Sequence, residues 1–336
     1  MYNNLKISTY NLFMISKFKL KLKLLVDMNI VIVGAGGIGG YFGARLAEAG
    51  LDVTFIARGK HLEKIKQKGL ELKSIDGNYT VFPAKATDNI SEIENPNLII
   101  LAVKSWQVAE VAQQIKPVLT KDTMILPLQN GVDTIEKLSA IIDENQILAG
   151  FCKIYSKVED YGVIDHFSYT PELFFGELNN QKSERVNHLK KVFDKASFKT
   201  IIPNDIHAEI WKKFLFICTV SGLGGLTRVT IGAMVENIET RNIMQRTAEE
   251  IVAISQAKNI NLPNDIVTTI MNFIDKQSYG STASTQRDIM EGRPSELQNF
   301  NGYIVKQGKL LGINTPVNSF IYHCLLPQEL NARKLK

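Results

Sequence analysis

Three glycines near the start of the chain have the spacing of a phosphate-binding loop. Gly34, Gly36 and Gly39 form a G-x-G-x-x-G pattern between an apolar run at 29–33 and a helical segment that ends near Gly50. The first glycine permits a tight turn, the second lets the backbone approach a pyrophosphate, and the third lets a helix pack close to a sheet. The helix N-terminus then offers free N–H groups to phosphate. The pattern predicts a dinucleotide site with the loop Gly34, Ala35, Gly36, Gly37, Ile38 and Gly39, the alternative being a glycine-rich turn without a ligand.

The end of the second predicted strand, 52–57, indicates which dinucleotide binds. An NAD site usually places an acid there for the ribose hydroxyl, whereas an NADP site uses a cation for the additional phosphate. The strand runs into Arg58, with Lys60 and His61 just beyond and no acid. The sequence therefore predicts NADP(H) as the cofactor. The alternative is that Arg58 is a solvated loop cation.

Polar side chains also follow the next two predicted strands. Lys104 comes directly after the strand within "NLIILAV", and Asn130 ends the run "TMILPLQNG". Because the carboxyl ends of parallel strands face the ligand, we expect Lys104 near the adenosine phosphate beside Arg58, and Asn130 toward the nicotinamide. Gln107 either contacts the adenine or caps the next helix, and Trp106 is more typical of packing.

The second half of the chain offers a lysine and a carboxylate for proton transfer. Lys212 and Lys213 are adjacent in a predicted apolar helix that begins at Ile206, so they point about 100° apart. One can face solvent while the other enters a cleft and donates a proton; a snorkelling surface lysine is the alternative. Two further helices are predicted at 281–290 and 295–311, which places Glu296 in a first turn. It is either a functional carboxylate or an acid favoured by the helix dipole.

Composition and charge exclude several classes of protein. The chain has 336 residues, enough for about two domains, and no apolar run near the ~18 residues of a membrane span. Its net charge is +5, but residues 1–27 carry five lysines against one aspartate, a balance of +4. The rest is close to neutral, which argues against a nucleic-acid partner. The three cysteines lack metal or redox spacing, so we predict no metal site and a reducing, cytoplasmic location.

These observations predict three regions. Residues 1–27 form a basic extension, either a disordered arm or translation upstream of a natural start at Met28. Residues 28–205 form the dinucleotide-binding domain, with a β-rich extension at 146–178. Residues 206–336 form a helical domain that carries the substrate site.

In this order, the segments "GAGGIGG", "VKSWQV", "QNGV", "AEIWKKF", "STASTQRDI" and "GRPSELQNFNGYIV…GINTP" resemble the ketopantoate reductase family. The resemblance covers nearly the whole chain from Met28. It implies an α/β Rossmann-type NADP-binding domain followed by an all-α C-terminal domain of the 6-phosphogluconate dehydrogenase C-terminal-like type, with the active site in a cleft. It also implies NADPH-dependent reduction of 2-dehydropantoate to (R)-pantoate in pantothenate and coenzyme A biosynthesis. A homodimer is compatible with it.

The resemblance also implies residue roles. Arg58 and Lys104 would hold the adenosine 2′-phosphate, and Asn130 would lie beside both nicotinamide and substrate. Lys213 would be the general acid. Ser284 would contact the substrate carboxylate, and Glu296 would bind or orient groups at the reacting centre, including the cofactor.

The chain departs from the family pattern at the substrate pocket. Two asparagines are expected four and eight residues after the catalytic lysine, but Ile217 and Ser221 occupy those positions. Ser221 can still hydrogen-bond to substrate, with a shorter reach, whereas Ile217 cannot. Arg228 is an unexpected cation that would either pair with a substrate carboxylate or lie on the surface. The alternatives are therefore reduction of another small 2-keto acid or a non-catalytic NADP-binding regulator.

Overall fold

The computed structural model describes residues 28–334, and the predicted extension at 1–27 lies outside them. Two compact units divide the described chain. The sheet unit comprises 28–103, 109–128 and 138–202, and the helical unit comprises 104–108, 129–137 and 203–334. The segments that carry Lys104 and Asn130 therefore belong to the helical unit, a discontinuity that a single boundary after residue 205 does not describe.

Twelve strands form the framework of the sheet unit. They are β1 Asn29–Val33, β2 Asp52–Ile56, β3 Leu70–Ser74, β4 Tyr79–Val81, β5 Lys85–Thr87, β6 Leu98–Leu101, β7 Met124–Pro127, β8 Leu148–Lys153, β9 Ser156–Asp160, β10 Val163–His166, β11 Glu172–Glu177 and β12 Lys199–Ile201.

Twelve α-helices complete the described chain. They are α1 Gly37–Glu48, α2 Gly59–Lys68, α3 Val108–Ile115, α4 Thr134–Ser139, α5 Glu184–Phe193, α6 Ile206–Thr227, α7 Ile231–Glu236, α8 Ile238–Ala257, α9 Ile266–Asp275, α10 Ser284–Met290, α11 Asn301–Leu311 and α12 Pro316–Lys334.

The main sheet is parallel, with the strand order β5-β2-β1-β6-β7. Its central strands are apolar and almost entirely buried, because both faces of a parallel sheet are normally covered. Strand order reverses between β1 and β6, and the crevice at such a switch point, outside the carboxyl ends of the strands, is where open α/β sheets bind ligands. The Rossmann-type prediction is confirmed.

The predicted β-rich extension is confirmed, but its strands are divided between two smaller sheets. β9 and β10 join β3 and β4 in the order β4-β3-β10-β9. β8 and β11 pair antiparallel, with β12 alongside β11. Both sheets contribute to the apolar core of the sheet unit, which includes Phe42, Ile164 and Phe175.

The long helix α6 is central to the helical unit. Asp205 caps it, since its carboxylate accepts a hydrogen bond from the Ala208 N–H at 3.0 Å. Trp211, Phe214 and Cys218 are buried on this helix, as the helical spacing predicts. Burial raises the pKa of the Cys218 thiol, which keeps it protonated and unreactive.

The two predicted helices around Glu296 are shorter than expected. α10 begins at Ser284 rather than at residue 281, and α11 begins at Asn301 rather than at residue 295. Glu296 therefore lies in a turn before α11, and its expected place in a first helical turn is wrong. The physical reason lies at Phe300, whose backbone (φ −103°, ψ −99°) is outside the helical region, so the helix begins only after it.

Two features are absent from residues 28–334. No helix there combines the length and apolarity needed to cross a membrane. Nor do His, Cys, Asp and Glu side chains in this part of the chain cluster in a way that could hold a metal ion.

Candidate active site

The structure joins a lysine, an amide and a carboxylate within the helical unit. The Lys213 ammonium donates to Asn130 Oδ1 at 2.6 Å. Asn130 Nδ2 lies 3.5 Å from Glu296 Oε2, at the long limit for a hydrogen bond. Glu296 is 5% exposed, and Asn130 and Lys213 are partly buried. This array places a proton donor, a neutral amide and an acceptor in a row.

The two adjacent lysines of α6 have different environments. Lys212 pairs with Glu209 one turn earlier on the same helix, at 2.7 Å, in the i,i+3 geometry of a helix-surface ion pair. Lys213 instead reaches Asn130. The 100° step between neighbouring helical positions thus separates a surface lysine from one directed at the array.

Asn130 is held in place by the residues that follow it. Gly131 adopts φ +102°, a backbone conformation that side chains disfavour. Asp133 then accepts from Asn299 Nδ2 at 2.8 Å and pairs with Lys137 at 2.8 Å. The segment 129–137 is therefore fastened to the turn that contains Glu296, three residues before Asn299.

A second fastening involves Glu136. Its carboxylate accepts from the Tyr303 hydroxyl at 2.9 Å and pairs with Lys258 at 3.0 Å. Burial, together with the neighbouring carboxylate of Glu136, raises the pKa of Tyr303, so its hydroxyl remains a donor in alkaline solution as well. Asp133 and Glu136 were not predicted from the sequence, because single acids at the start of a short helix form no motif.

The glycine loop of the sheet unit fits a phosphate group. The N-cap of α1 is Gly36, no described side chain caps the helix, and its first turn has no acid. A Cβ at Gly36 would have no described atom within 4 Å, so a ligand can approach the backbone there. A Cβ at Gly39 would lie 2.1 Å from the Gly34 carbonyl oxygen, so only glycine fits at the third position of the pattern. The free N–H groups and positive end of α1 suit an anion.

His61 holds this loop in place, a role that was not predicted from the sequence. Its Nδ1 accepts from the Gly162 N–H at 2.9 Å, so Nε2 must carry the proton and donate to the Ala35 carbonyl at 2.7 Å. The ring thus ties the loop to the β9–β10 turn. Its position is the one indication in the sequence, because His61 follows the end of β2 by a few residues, where α2 begins.

The residues predicted for the adenosine end have distinct environments. Arg58 is exposed at the N-cap of α2, and no described residue forms an ion pair with it. Lys104, in the helical unit, lies 3.3 Å from Asp288 Oδ2 and remains half exposed. Gln107 accepts from the Lys104 N–H at 3.3 Å, which is the capping alternative named for it.

The other residues predicted to bind substrate, Ser221 and Ser284, lie on two helices of the helical unit. Ser221 is two turns beyond Lys213 on α6, is 1% exposed, and its hydroxyl oxygen has no hydrogen-bond partner among the described residues. Ile217 lies between them in sequence and packs against the apolar core. Ser284 is exposed at the start of α10. A buried unpartnered hydroxyl is costly unless a ligand or water satisfies it.

Arg228 does not lie in the array. It ends α6 in the left-handed conformation with φ +60°, and its guanidinium donates to the Met290 carbonyl at 2.8 Å. The side chain is exposed. The structure therefore gives Arg228 a capping environment at the surface of the helical unit.

Comparison with known proteins decides the family. A family model described as ketopantoate reductase PanE/ApbA matches residues 30–180, and one described as its C terminal matches residues 205–329. This chain belongs to the ketopantoate reductase family. Relatives in this family are oxidoreductases that act on CH–OH groups, and the chain is an oxidoreductase of this type.

Individual relatives match this chain over most of its length and over most of their own. The uncharacterized oxidoreductase YkpB of Bacillus subtilis is 30% identical over 295 residues, which is 88% of this chain and 97% of the relative. The 2-dehydropantoate 2-reductase of a Nostoc species is 26% identical, covering 89% of this chain and 94% of that protein.

Solved structures support the same fold. A PanE/ApbA family ketopantoate reductase from Ralstonia eutropha superposes with a TM-score of 0.84 at 26% identity, covering 91% of this chain and 100% of that one. A D-mandelate dehydrogenase solved with NADH and anilino(oxo)acetate gives a TM-score of 0.81 at 22% identity, with the same coverage. The latter shows the fold alone.

Proposed function

We propose that this chain reduces a small 2-keto acid with NADPH, and that the substrate is 2-dehydropantoate and the product (R)-pantoate. The reaction would serve pantothenate and coenzyme A biosynthesis. The observation that carries the proposal is the array in which Asn130 joins the Lys213 ammonium to the Glu296 carboxylate. A non-catalytic regulator that binds NADP has no need of such an array.

The residue types fit ketone reduction. NADPH, when bound, supplies a hydride to the ketone carbon. Negative charge then develops on the carbonyl oxygen, and the Lys213 ammonium stabilises that oxygen and protonates it. Asn130 orients the ammonium through the 2.6 Å hydrogen bond, and Glu296 fixes the amide from its other side.

The cofactor would be held by backbone N–H groups and by two cationic side chains. The N–H groups at the start of α1, in the loop Gly34–Gly39, bind the pyrophosphate. Arg58 and Lys104 bind the 2′-phosphate, and Gln107 holds the Lys104 backbone in place. Arg58 is suited to this role because its exposed guanidinium has no described ionic partner.

The substrate would be held by hydroxyl groups. Ser284, exposed at the start of α10, binds the substrate carboxylate, and the unpartnered hydroxyl of Ser221 binds a polar group of the substrate. Ile217 favours a second candidate, reduction of a more apolar 2-keto acid, because it supplies apolar surface where a hydrogen bond is expected. The likeness in fold to a D-mandelate dehydrogenase suggests one such acid to test, phenylglyoxylate, which is the 2-keto acid that corresponds to mandelate.

A substrate panel tests the proposed function. Purified protein is mixed with NADPH and either 2-dehydropantoate, 2-ketoisovalerate or phenylglyoxylate, and the loss of NADPH absorbance is followed. We expect kcat/KM for 2-dehydropantoate to exceed that for the other two acids by about 100-fold or more. The reason is that the buried Ser221 hydroxyl would stay unpaired with an acid that lacks a matching polar group. Faster turnover of another acid would favour the second candidate. NADPH binding without any turnover would favour the regulator.

The cofactor assignment makes its own prediction. Arg58→Ala should weaken NADPH binding by about 10-fold to 100-fold, because a hydrogen bond between charged groups contributes about 1.5–3 kcal/mol, and should leave NADH binding within about twofold. Cofactor fluorescence titration measures both affinities. Lys66→Ala is the matched control, since Lys66 is an exposed cation in the last turn of the same helix. Equal weakening of NADPH and NADH would contradict the phosphate contact.

A further inference from the structure

The turn that carries Glu296 is held by two side chains of the C-terminal helix, α12. Ser295 is fully buried, and its N–H lies 3.0 Å from Glu329 Oε2. The Ser295 hydroxyl donates to the same oxygen at 2.5 Å. The Ser295 carbonyl accepts from Arg333 Nη2 at 3.0 Å. Every polar group of the residue before Glu296 is thus bound by Glu329 or Arg333.

Glu329 and Arg333 also bind each other. They are four residues apart on α12, their ion pair measures 2.7 Å, and Glu329 is 3% exposed. A buried carboxylate is strongly unfavourable unless hydrogen bonds and a cation compensate it. Here Ser295 and Arg333 provide that compensation, so the geometry of the pair and that of the turn depend on each other.

Arg333 extends the same connection to the Lys104 segment. Its guanidinium carbon lies 4.7 Å from the centre of the Trp106 ring, a cation–π distance. Trp106 belongs to the short 3₁₀ turn 105–107, directly after Lys104. The Lys104 ammonium is 5.7 Å from the same ring centre. One arginine therefore contacts both the turn that leads to Glu296 and the segment that presents Lys104.

We propose that Glu329 and Arg333 are positioning residues that act through Glu296 and through the Lys104–Trp106 segment. This inference rests on the proposed function, which assigns Glu296 to the reacting centre. The pair does not simply anchor α12, because Ile321 and Leu325 of that helix are buried in the apolar core of the helical unit. What the pair fixes is the path of the chain at Ser295, one residue from the carboxylate.

The test compares two carboxylates that bind backbone N–H groups. Glu329→Gln and Glu329→Ala remove or weaken the contact to Ser295. The matched control is Glu250→Ala, because Glu250 accepts from the Val317 and Asn318 N–H groups at the other end of α12. We expect Glu329→Ala to lower kcat for 2-dehydropantoate by about 10-fold to 100-fold, the effect of displacing a catalytic group by about 1 Å. Glu250→Ala should lower Tm and leave kcat within about twofold.

A double-mutant cycle separates positioning from general support of the fold. If Glu329 acts through Glu296, then Glu329→Gln should cost less than about twofold in a Glu296→Gln background. Losses that multiply in full would overturn the proposal, as would wild-type kcat in Glu329→Ala. Should Glu329→Ala fail to fold, Ser295→Ala and Arg333→Lys perturb the same contacts more mildly. Both variants should lower kcat while leaving Tm close to that of wild type.

Amide hydrogen exchange provides a readout that needs no turnover. The Ser295 N–H donates to Glu329, so its exchange should accelerate at least tenfold in Glu329→Ala and remain unchanged in Glu250→Ala. A wild-type protein that turns over no keto acid would contradict the proposed function. In that case hydrogen exchange still tests whether Glu329 holds the Ser295 turn. Unchanged exchange at Ser295 in Glu329→Ala would overturn that contact and the proposal built on it.

Discussion

Replacement of Lys213 by alanine is expected to lower kcat for keto acid reduction by about 100-fold to 10,000-fold, the contribution of a positioned general acid. The ammonium stabilises the oxygen that gains charge, and then protonates it. In the structure this ammonium donates to Asn130 at 2.6 Å, so its direction is set before substrate arrives. Steady-state rates at saturating NADPH and keto acid measure the loss.

The neighbouring lysine supplies the control. Lys212→Ala removes the same functional group one position earlier, but Lys212 pairs with Glu209 on the helix surface. Its kcat should stay within about twofold of wild type, since the Lys212 ammonium pairs with Glu209, whereas that of Lys213 reaches Asn130. Because NADPH affinity should be nearly intact in Lys213→Ala, fluorescence titration distinguishes lost chemistry from lost binding. Equal rates in the two alanine variants would show that Lys213 is not the acid.

The sequence could not choose between the two lysines without the resemblance to the family. Helical periodicity states only that adjacent side chains diverge by about 100°. Which of them reaches a partner depends on residues distant in the chain, here Asn130, 83 positions earlier. The structure distinguishes the two lysines because the segment 129–137, with Asn130, belongs to the helical unit and contacts Lys213.

The parallel sheet was predictable wherever a strand is long and apolar. β1, β2, β6 and β7 each coincide with an apolar run, and the glycine loop sits between the first two. β5 was not predicted because Lys85–Thr87 is three residues long and carries no pattern. Its place beside β2 is set by backbone pairing, which leaves little trace in such a short sequence.

The polar residues at strand ends were also predictable, but the side-chain contacts that hold them in place were not. Asn130 follows β7, and the strand-end rule is sufficient to select it. By contrast, Glu296 was expected in a helix, since 295–311 has helical spacing. The chain instead forms a turn that ends at Phe300, and Glu329, 34 residues after Ser295, binds the Ser295 N–H at its start. Such long-range side-chain contacts have no local signature.

Asn130 is the residue whose replacement should disturb the array on both sides. Asn130→Ala removes the acceptor of the Lys213 ammonium and the donor to Glu296 together. We expect kcat to fall by about 100-fold, since a misplacement of about 1 Å at a reacting group can cost this much. Lys213 remains present, so the loss measures orientation rather than the acid itself. Rates at saturating substrate and the KM of each substrate test this.

Asn130→Asp tests the charge of the array with almost no change of shape. A carboxylate beside the Lys213 ammonium favours its charged form, so the ammonium releases its proton less readily and the alkaline fall of kcat moves to higher pH. The same carboxylate repels Glu296, which loses its donor. Asn187→Asp, on the exposed face of α5, is the control for an added charge and should leave the pH profile unchanged. A profile for Asn130→Asp that superposes on that of wild type would separate Asn130 from the proton-transferring lysine.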